Sequence, residues 1–290
     1  MSGETSAEWR LLLIDGNQYI WRAYHALPPR FRPDGLQVNA LNGVVEHLLK
    51  RIVLRGRASH VAILFDAEGK GFRHEIYPRY KENRAEPPAD LTAQLPLVRE
   101  AAAAFNITGV ELDGYEADDL IATYARLGAE AGMPVSIVSG DKDLMQLVDD
   151  ASGVSIYHPQ QKRVLREAQV VEKFGVPPYL VPDVQALAGD AVDGVPGVTG
   201  IGVKTGAALI ETYGGLEQLL RAADQLPQKK RRERLIAEAD AARLSRRLVT
   251  LDAFAPVTVP LGDFAVRGFD TATVRGFLET NGFEVPGPWV

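Results

Sequence analysis

The chain has 290 residues, a formal net charge of −6 and 46% hydrophobic residues, enough for one large or two modest domains with a true core. It contains no cysteine, and its five histidines are scattered, which excludes disulfides, thiol catalysis and cysteine zinc sites. No apolar run approaches the ~18 residues of a membrane span, and Met1 to Arg10 is polar and acidic where a signal peptide would be basic and then apolar, so the expectation is a cytoplasmic protein without membrane contact. Any metal would be held by oxygen, and oxygen-only sites suit magnesium or manganese, the usual companions of phosphate chemistry.

Leu11 to Ile14 is a continuous apolar run ending in Asp15-Gly16-Asn17, which reads as a buried parallel strand leading into a loop. Val61 to Phe65 repeats the arrangement with Asp66 after it, and Val135 to Val138 repeats it with Ser139-Gly140-Asp141-Lys142-Asp143. In an open parallel α/β sheet ligands bind outside the carboxyl ends of the strands, so these acids are expected to converge on one crevice. Between the strands, Ala40, Leu41, Val44, Val45, Leu48, Leu49 and Ile52 follow a helical period, as do Leu95, Val98, Ala102 and Phe105 after an expected N-cap at Asp90. The alternation predicts a doubly wound α/β domain over about the first 165 residues.

Gly114-Tyr115-Glu116-Ala117-Asp118-Asp119 places three carboxylates within four residues where an apolar helical pattern begins. Two carboxylates ~4 Å apart repel by roughly 4 kcal/mol at an effective dielectric near 20, so such a cluster is protonated, solvated apart or bridged by metal. Side chains at positions 116 and 118 of a regular helix would point about 200° apart, so a shared metal requires Glu116 at or before the helix start. Ordinary acids of a helix N-terminus explain the stretch equally well by themselves. Asp141 and Asp143 also fit an Asx turn capping a short helix from Lys142 to Val148, and Asp190 and Asp193 also fit a loop. The recurrence of acids after three apolar strands and in two further pairs favours a metal site. Setting these nine acids aside takes the charge from −6 to +3, so the acidic total does not exclude a nucleic-acid partner.

Lys70, Arg73, His74, Tyr77, Arg79, Tyr80, Lys81 and Arg84 form a basic segment interleaved with aromatics, suited to neutralising phosphates and stacking on single-stranded bases. Val195-Pro196-Gly197-Val198-Thr199-Gly200-Ile201-Gly202-Val203-Lys204-Thr205 leads into an amphipathic run. Its glycines allow close backbone approach to a phosphate, the helix N-terminus offers N–H donors, and Lys204 adds a charge. Lys204 follows Val203 and not glycine, so this is not a Walker A loop. Lys229 to Arg234 reads most simply as a solvated helix face, with a phosphate contact as the rival. The region after Leu248, with Pro256, Pro260, Pro286 and Pro288, carries no recognisable chemistry.

In this order, Asp15-Gly16, Phe65-Asp66, Phe72-Arg73-His74-Glu75, Tyr80-Lys81, Gly114 to Asp119, Gly140 to Asp143, Gly189-Asp190 with Asp193, and Gly200 to Thr205 resemble the 5′-nuclease family. That family comprises the 5′-to-3′ exonuclease domain of bacterial DNA polymerase I, phage 5′ exonucleases and flap endonucleases. The resemblance covers nearly the whole chain, and with no polymerase segment following it implies a free-standing enzyme. It implies a mostly parallel sheet flanked by helices, PIN-like, over residues 9–175 with a basic arch at about 67–94. A helix-three-turn-helix subdomain and helical region would follow at 176–290.

The same resemblance implies a structure-specific 5′ nuclease that removes flaps or RNA primers in DNA replication and repair by two-metal hydrolysis with Mg2+ or Mn2+. Asp15, Asp66, Glu116 and Asp118 would hold one metal. Asp118 would bridge to a second held with Asp141, Asp143 and Asp190, while Asp119 and Asp193 match outer acids. Lys81, with Arg84 beside it, matches the basic helix of the arch and would be catalytic. Arg22, Arg73, Tyr77, Tyr80, Gly200, Gly202, Lys204 and Thr205 would contact DNA, and in several members K+ sits on carbonyls of the turn. The implied partners are DNA with a 5′ flap or nick, or an RNA–DNA hybrid, met by a monomer working alongside a separate polymerase and ligase. Gly194, Val203 and Gly206 stand where bacterial members commonly have Asn, Glu and Ala, but all nine acids are present. The rival expectations are a DNA-binding module that has lost its chemistry and a metal-dependent ribonuclease.

Overall fold

A computed structural model describes residues 11–53 and 58–284, with the side chains of 50–53 left aside. The reading of Met1 to Arg10, the Ile52 side chain, Pro286 and Pro288 lie outside the described residues. In chain order the main elements are β1 (Leu11–Asp15), α1 (Gly16–Ala26), α2 (Asn39–Gly43), β2 (His60–Leu64), α3 (Leu95–Ala104), β3 (Thr108–Val110), α4 (Ala117–Glu130), β4 (Val135–Val138), β5 (Val154–His158), β6 (Arg163–Leu165), α5 (Glu167–Phe174), α6 (Val181–Ala188), α7 (Val203–Tyr213), α8 (Lys229–Ala237), α9 (Ala239–Val249) and α10 (Thr271–Thr280).

These elements form two compact units. One takes the chain up to Ala67, Glu86–Ser139 and everything from Ala253; the other takes Glu68–Ala85 and Gly140–Asp252. These contact units are discontinuous in sequence, each drawing on residues from both sides of position 175. Residues 253–284 belong to the first unit, and the basic segment from Lys70 to Arg84 belongs to the second.

In the first unit four parallel strands lie in the order β3-β2-β1-β4. β1 is buried along its whole length, as a central parallel strand covered on both faces must be. The apolar stripe expected at 40–49 is buried, but the helix widens after Gly43 into π-type turns over Val44–Val53. A four-residue repeat drifts around a helix of 3.6 residues per turn, and i→i+5 turns bring it back into line. Asp90 is not the N-cap of α3. It lies in the short helix Ala89–Thr92 and accepts the Tyr24 hydroxyl at 2.8 Å, while α3 starts after Gln94 with a proline in its first turn, where the missing N–H costs nothing.

The segment from Ala253 binds this unit through its carbonyls. The buried Tyr124 on α4 donates its hydroxyl to Val259 O at 2.9 Å and sets its ring against Phe264, with centroids 4.8 Å apart. Burial pushes the Tyr124 phenol up to about 12. Arg126 donates to Ala253 O at 2.8 Å, and Thr108 donates to Asp263 O.

In the second unit β5 and β6 form an antiparallel pair, and α6 packs against α7 and α9. A small core of Tyr80, Val195, Leu248 and Val249 is flanked by Ile76 and Tyr77. Arg73 is 2% exposed and donates to Leu248 O at 2.8 Å and Thr250 O at 3.1 Å. This corrects the expected DNA contacts at Arg73 and Tyr80: the guanidinium satisfies the C-terminal carbonyls of α9 and the Tyr80 ring is core, while Tyr77 packs against that core half-buried.

Of the positions that depart from the family pattern, Gly194 sits at φ +67, and a Cβ there would lie 2.9 Å from Arg79 O, so the local backbone suits glycine. Gly206 has no such need: a Cβ would be in ordinary contact, 3.4 Å from Val184 O. Gly206→Ala is therefore expected to stabilise the protein by about 0.4–1 kcal/mol through a less flexible unfolded chain, read as a raised denaturation midpoint. Arg73→Met leaves two carbonyls without their charged donor and is expected to cost about 1–3 kcal/mol in the same measurement.

Candidate functional site

In the first unit the parallel register aligns Asp15 with Leu64 and Ile14 with Val138, bringing the ends of β1, β2 and β4 to one edge. Asp15 ends β1 and is also the N-cap of α1, accepting Gln18 N–H on Oδ1 at 3.0 Å. Its Oδ2 accepts the Ser139 hydroxyl at 2.9 Å. Asp66 is held from two sides: Asn17 Nδ2 donates to Oδ2 at 3.0 Å, and the backbone N–H of Ala117 donates to Oδ1 at 2.8 Å. That last bond ties the end of β2 to the N-terminus of α4. Glu116 is the N-cap of α4 in extended conformation, φ −90° and ψ 158°, as the shared-metal geometry requires of it. Asp118 is half-buried at the second helical position. Asp119 is fully buried and accepts Glu116 N–H at 3.3 Å, a capping task that the expected ligand role did not include.

In the second unit Asp141 Oδ1 accepts Asp143 N–H at 2.9 Å, leading into the short 3-10 helix Asp143–Leu147. Asp143 accepts Nε2 of Gln185 from α6. Burial first, and then the charge of Asp141, push the Asp143 carboxyl up to about 6. Asp190 and Asp193 lie in a loop closed by paired backbone hydrogen bonds between Asp190 and Val195 at 3.0 and 2.7 Å. Lys142 Nζ lies 2.5 Å from Asp190 Oδ2. Burial pushes Asp190 up, but the bond and charge of Lys142 prevail and hold it below the usual carboxylate value.

Among the described residues, no three carboxylates or histidines form a ready-made ion cage, so the expected convergence of the acids is not seen as one. Like charges repel, and Asp15, Asp66, Asp141, Asp143 and Asp190 are turned onto neighbouring N–H, hydroxyl, amide or ammonium donors. The donor chemistry nevertheless fits a hard divalent cation: the acids are oxygen ligands, and a carboxylate oxygen holding one hydrogen bond keeps a second lone pair.

Lys81 adopts the left-handed backbone region at φ 57, donates its N–H to Asp193 O at 2.9 Å, and carries its ammonium 5.0 Å over the Tyr80 ring. Arg84, expected beside it as catalytic, forks onto Asp193 Oδ1 at 2.8 and 2.6 Å, so Arg84 and Asp193 form an ion pair. Arg22 is half-buried on α1. Gly202 is the N-cap of α7, and Gly200, Gly202 and Lys204 are exposed with Thr205 half-buried at the same helix start. Sequence reasoning missed Asn17, Ser139, Lys142 and Gln185 as the groups that orient or neutralise the acids. The first three adjoin Asp15 or Asp141 within three residues, the available signal; Gln185 reaches Asp143 from another helix and left none.

Residues 10–175 match the 5′-3′ exonuclease N-terminal resolvase-like domain, and residues 176–272 match the 5′-3′ exonuclease C-terminal SAM fold. DNA polymerase I of Rhizobium leguminosarum is 44% identical over 282 residues, covering 94% of this chain and 27% of the relative. The chain thus spans between a quarter and a third of the length of the polymerase I relatives it matches. In fold it is similar to T5 5′-exonuclease with bound zinc, at TM-score 0.68 and 24% identity over 93% of this chain and 97% of that one. It is similar also to bacteriophage T5 flap endonuclease in a pseudo-enzyme-product complex with DNA and metal ions, at TM-score 0.68 and 23% identity over 94% and 99%. The sheet edge with its capped carboxylates, the glycine-rich turn and these two adjoining matches lead to one conclusion: the chain belongs to the 5′-3′ exonuclease family.

Proposed function

We propose that this chain is a divalent-metal-dependent 5′ nuclease that hydrolyses DNA phosphodiesters at 5′ ends and 5′ flaps, in the replication and repair setting where flaps and RNA primers are removed. The proposal includes nicked DNA and RNA–DNA hybrids as substrates. It also includes action as a cytoplasmic monomer alongside DNA polymerase and ligase activities. The observation that carries it is the pair Asp15 and Asp66 at adjacent strand ends, each carboxylate oriented by two donors, next to Glu116 at the start of α4.

Asp15, Asp66, Glu116 and Asp118 would hold one Mg2+ or Mn2+ ion, and Asp141, Asp143 and Asp190 a second. When bound, such ions lower the pKa of a coordinated water and stabilise the charge on a leaving 3′ oxygen. The protein's part is orientation. Gln18 N–H and Ser139 fix Asp15, Asn17 and Ala117 N–H fix Asp66, and Gln185 aims Asp143, so little reorganisation remains at the moment of reaction. Lys142 balances charge at Asp190, and Lys81 supplies an ammonium for the scissile phosphate. The N-terminus of α7, with Lys204 and Thr205, would take a duplex phosphate. Potassium at this turn is part of the proposal, although the Thr199 carbonyl there already accepts Arg234 Nη1.

Asp118→Asn and Asp141→Asn are each expected to lower cleavage of a labelled 5′-flap duplex by about a thousandfold, the several kcal/mol supplied by an ion's charge, with flap binding retained. Full activity in either variant overturns the ligand assignment. Chelation should abolish cleavage, and added Mn2+ should both restore it and raise the melting temperature of the wild type by mass action. Release of short oligonucleotides marks flap cleavage, and release of mononucleotides marks exonuclease action.

A further inference from the structure

Gln185 lies on α6 and is 5% exposed, in a stretch where Val184, Ala186 and Leu187 are also buried. An apolar side chain would fill such a position at less cost, because a buried amide needs partners for both its N–H donors and its oxygen. Its Nε2 has one, donating to Asp143 Oδ1. Its Oε1 is buried and, among the described residues, has no hydrogen-bond partner. Unanswered oxygens of this kind are rare in folded proteins, and each calls for an explanation.

Chemistry fixes the direction of the amide. An ionised carboxylate only accepts, so the nitrogen has to face Asp143 and the oxygen takes the other arm. Asp141, Lys142 and Asp190 act on Asp143 through their charges, whereas Gln185 acts as a neutral amide. It can therefore answer a donor beside Asp143 without adding to the repulsion among the acids. Mg2+ gives up its waters reluctantly and keeps several when bound. Polarised by the ion's charge, each of those waters is a strong donor in need of an acceptor.

We infer that Gln185 is a positioning residue for the second ion: its Nε2 holds Asp143, and its Oε1 accepts a hydrogen bond from the hydration shell of Mg2+ at Asp141, Asp143 and Asp190. The inference rests on the proposed function for the ion itself. What it adds is a preference between ions. Ca2+ takes more of its ligands directly, whereas Mg2+ relies on retained waters, so an acceptor for those waters favours Mg2+. A residue that merely aimed Asp143, or that ligated the ion through Oε1 itself, would give Mg2+ no such advantage.

The test is calorimetric titration of Mg2+ and of Ca2+ into the whole chain, free of DNA, for wild type, Asp143→Asn, Gln185→Met and Gln185→Lys. Gln185→Met fills the space and removes both polar atoms. Its Mg2+ affinity is expected to fall by about 10–100-fold, the usual cost of losing an outer partner, in the same binding step that Asp143→Asn weakens. The loss for Ca2+ should be smaller. Gln185→Lys returns a donor to Asp143 but no acceptor. Its charge weakens both ions, and the preference for Mg2+ should still fall as in Gln185→Met. The melting temperature without metal reports on the fold separately; if Gln185→Met lowers it, the comparison is read from Gln185→Lys. An unchanged Mg2+ affinity in the variant so read, or a loss of Ca2+ as large as that of Mg2+, overturns the inference and leaves the proposed function standing. If Asp143→Asn binds Mg2+ as tightly as wild type, the ligand assignment itself fails and takes the inference with it.

Discussion

The carboxylate of Asp15 is the interaction on which the first unit depends. It closes a buried strand, caps the helix that follows and receives a hydroxyl from the end of the neighbouring strand. A buried carboxylate is tolerated only when its lone pairs are answered, and the donors that answer them also fix its direction. The next residue has to be glycine for a steric reason: a Cβ at Gly16 would sit 2.8 Å from Leu64 O and from the Phe65 ring. Strand, turn and helix therefore meet at a spacing that holds the acid in place, and fold stability and site geometry are the same set of contacts.

Asp66 shows the same economy one strand over. Its hydrogen bond from Ala117 N–H answers one of the donors that a helix N-terminus leaves unpaired, so the acid both stabilises α4 and is oriented by it. In the second unit the corresponding work falls to loops. Asp190 and Val195 pair their backbones, and Gly189 and Gly197 approach so closely that a Cβ at Gly197 would lie 2.5 Å from Gly189 N. Two glycines with positive φ make that crossing possible.

The strands that end in acids were legible in the sequence because buried parallel strands read as short apolar runs, and the turn before α7 was legible because glycine marks positive φ, as at Gly200 with φ +75. Glu116 was placed at the helix start by angular reasoning alone, and its extended backbone agrees. What could not be read was the partner of each polar group. Arg73 and Tyr80 carry the composition of a nucleic-acid contact but spend it on carbonyls and core, because residue type does not specify which way a side chain turns. Arg84 likewise meets Asp193 across 109 positions of chain. The segment after Leu248 looked featureless because it contributes backbone acceptors, which every residue has.

That last segment has a kinetic meaning. Tyr124 finds its acceptor 135 residues later, and Arg30 bonds to Gly282 O across 252 positions. The amino-terminal unit is thus completed by chain that leaves the ribosome well after its strands. Contacts of such separation form slowly, because loop closure must precede their reward. Until synthesis has passed Ala253, α4 presents Tyr124 and the face around it uncovered, the kind of exposed apolar surface that chaperones recognise in nascent chains.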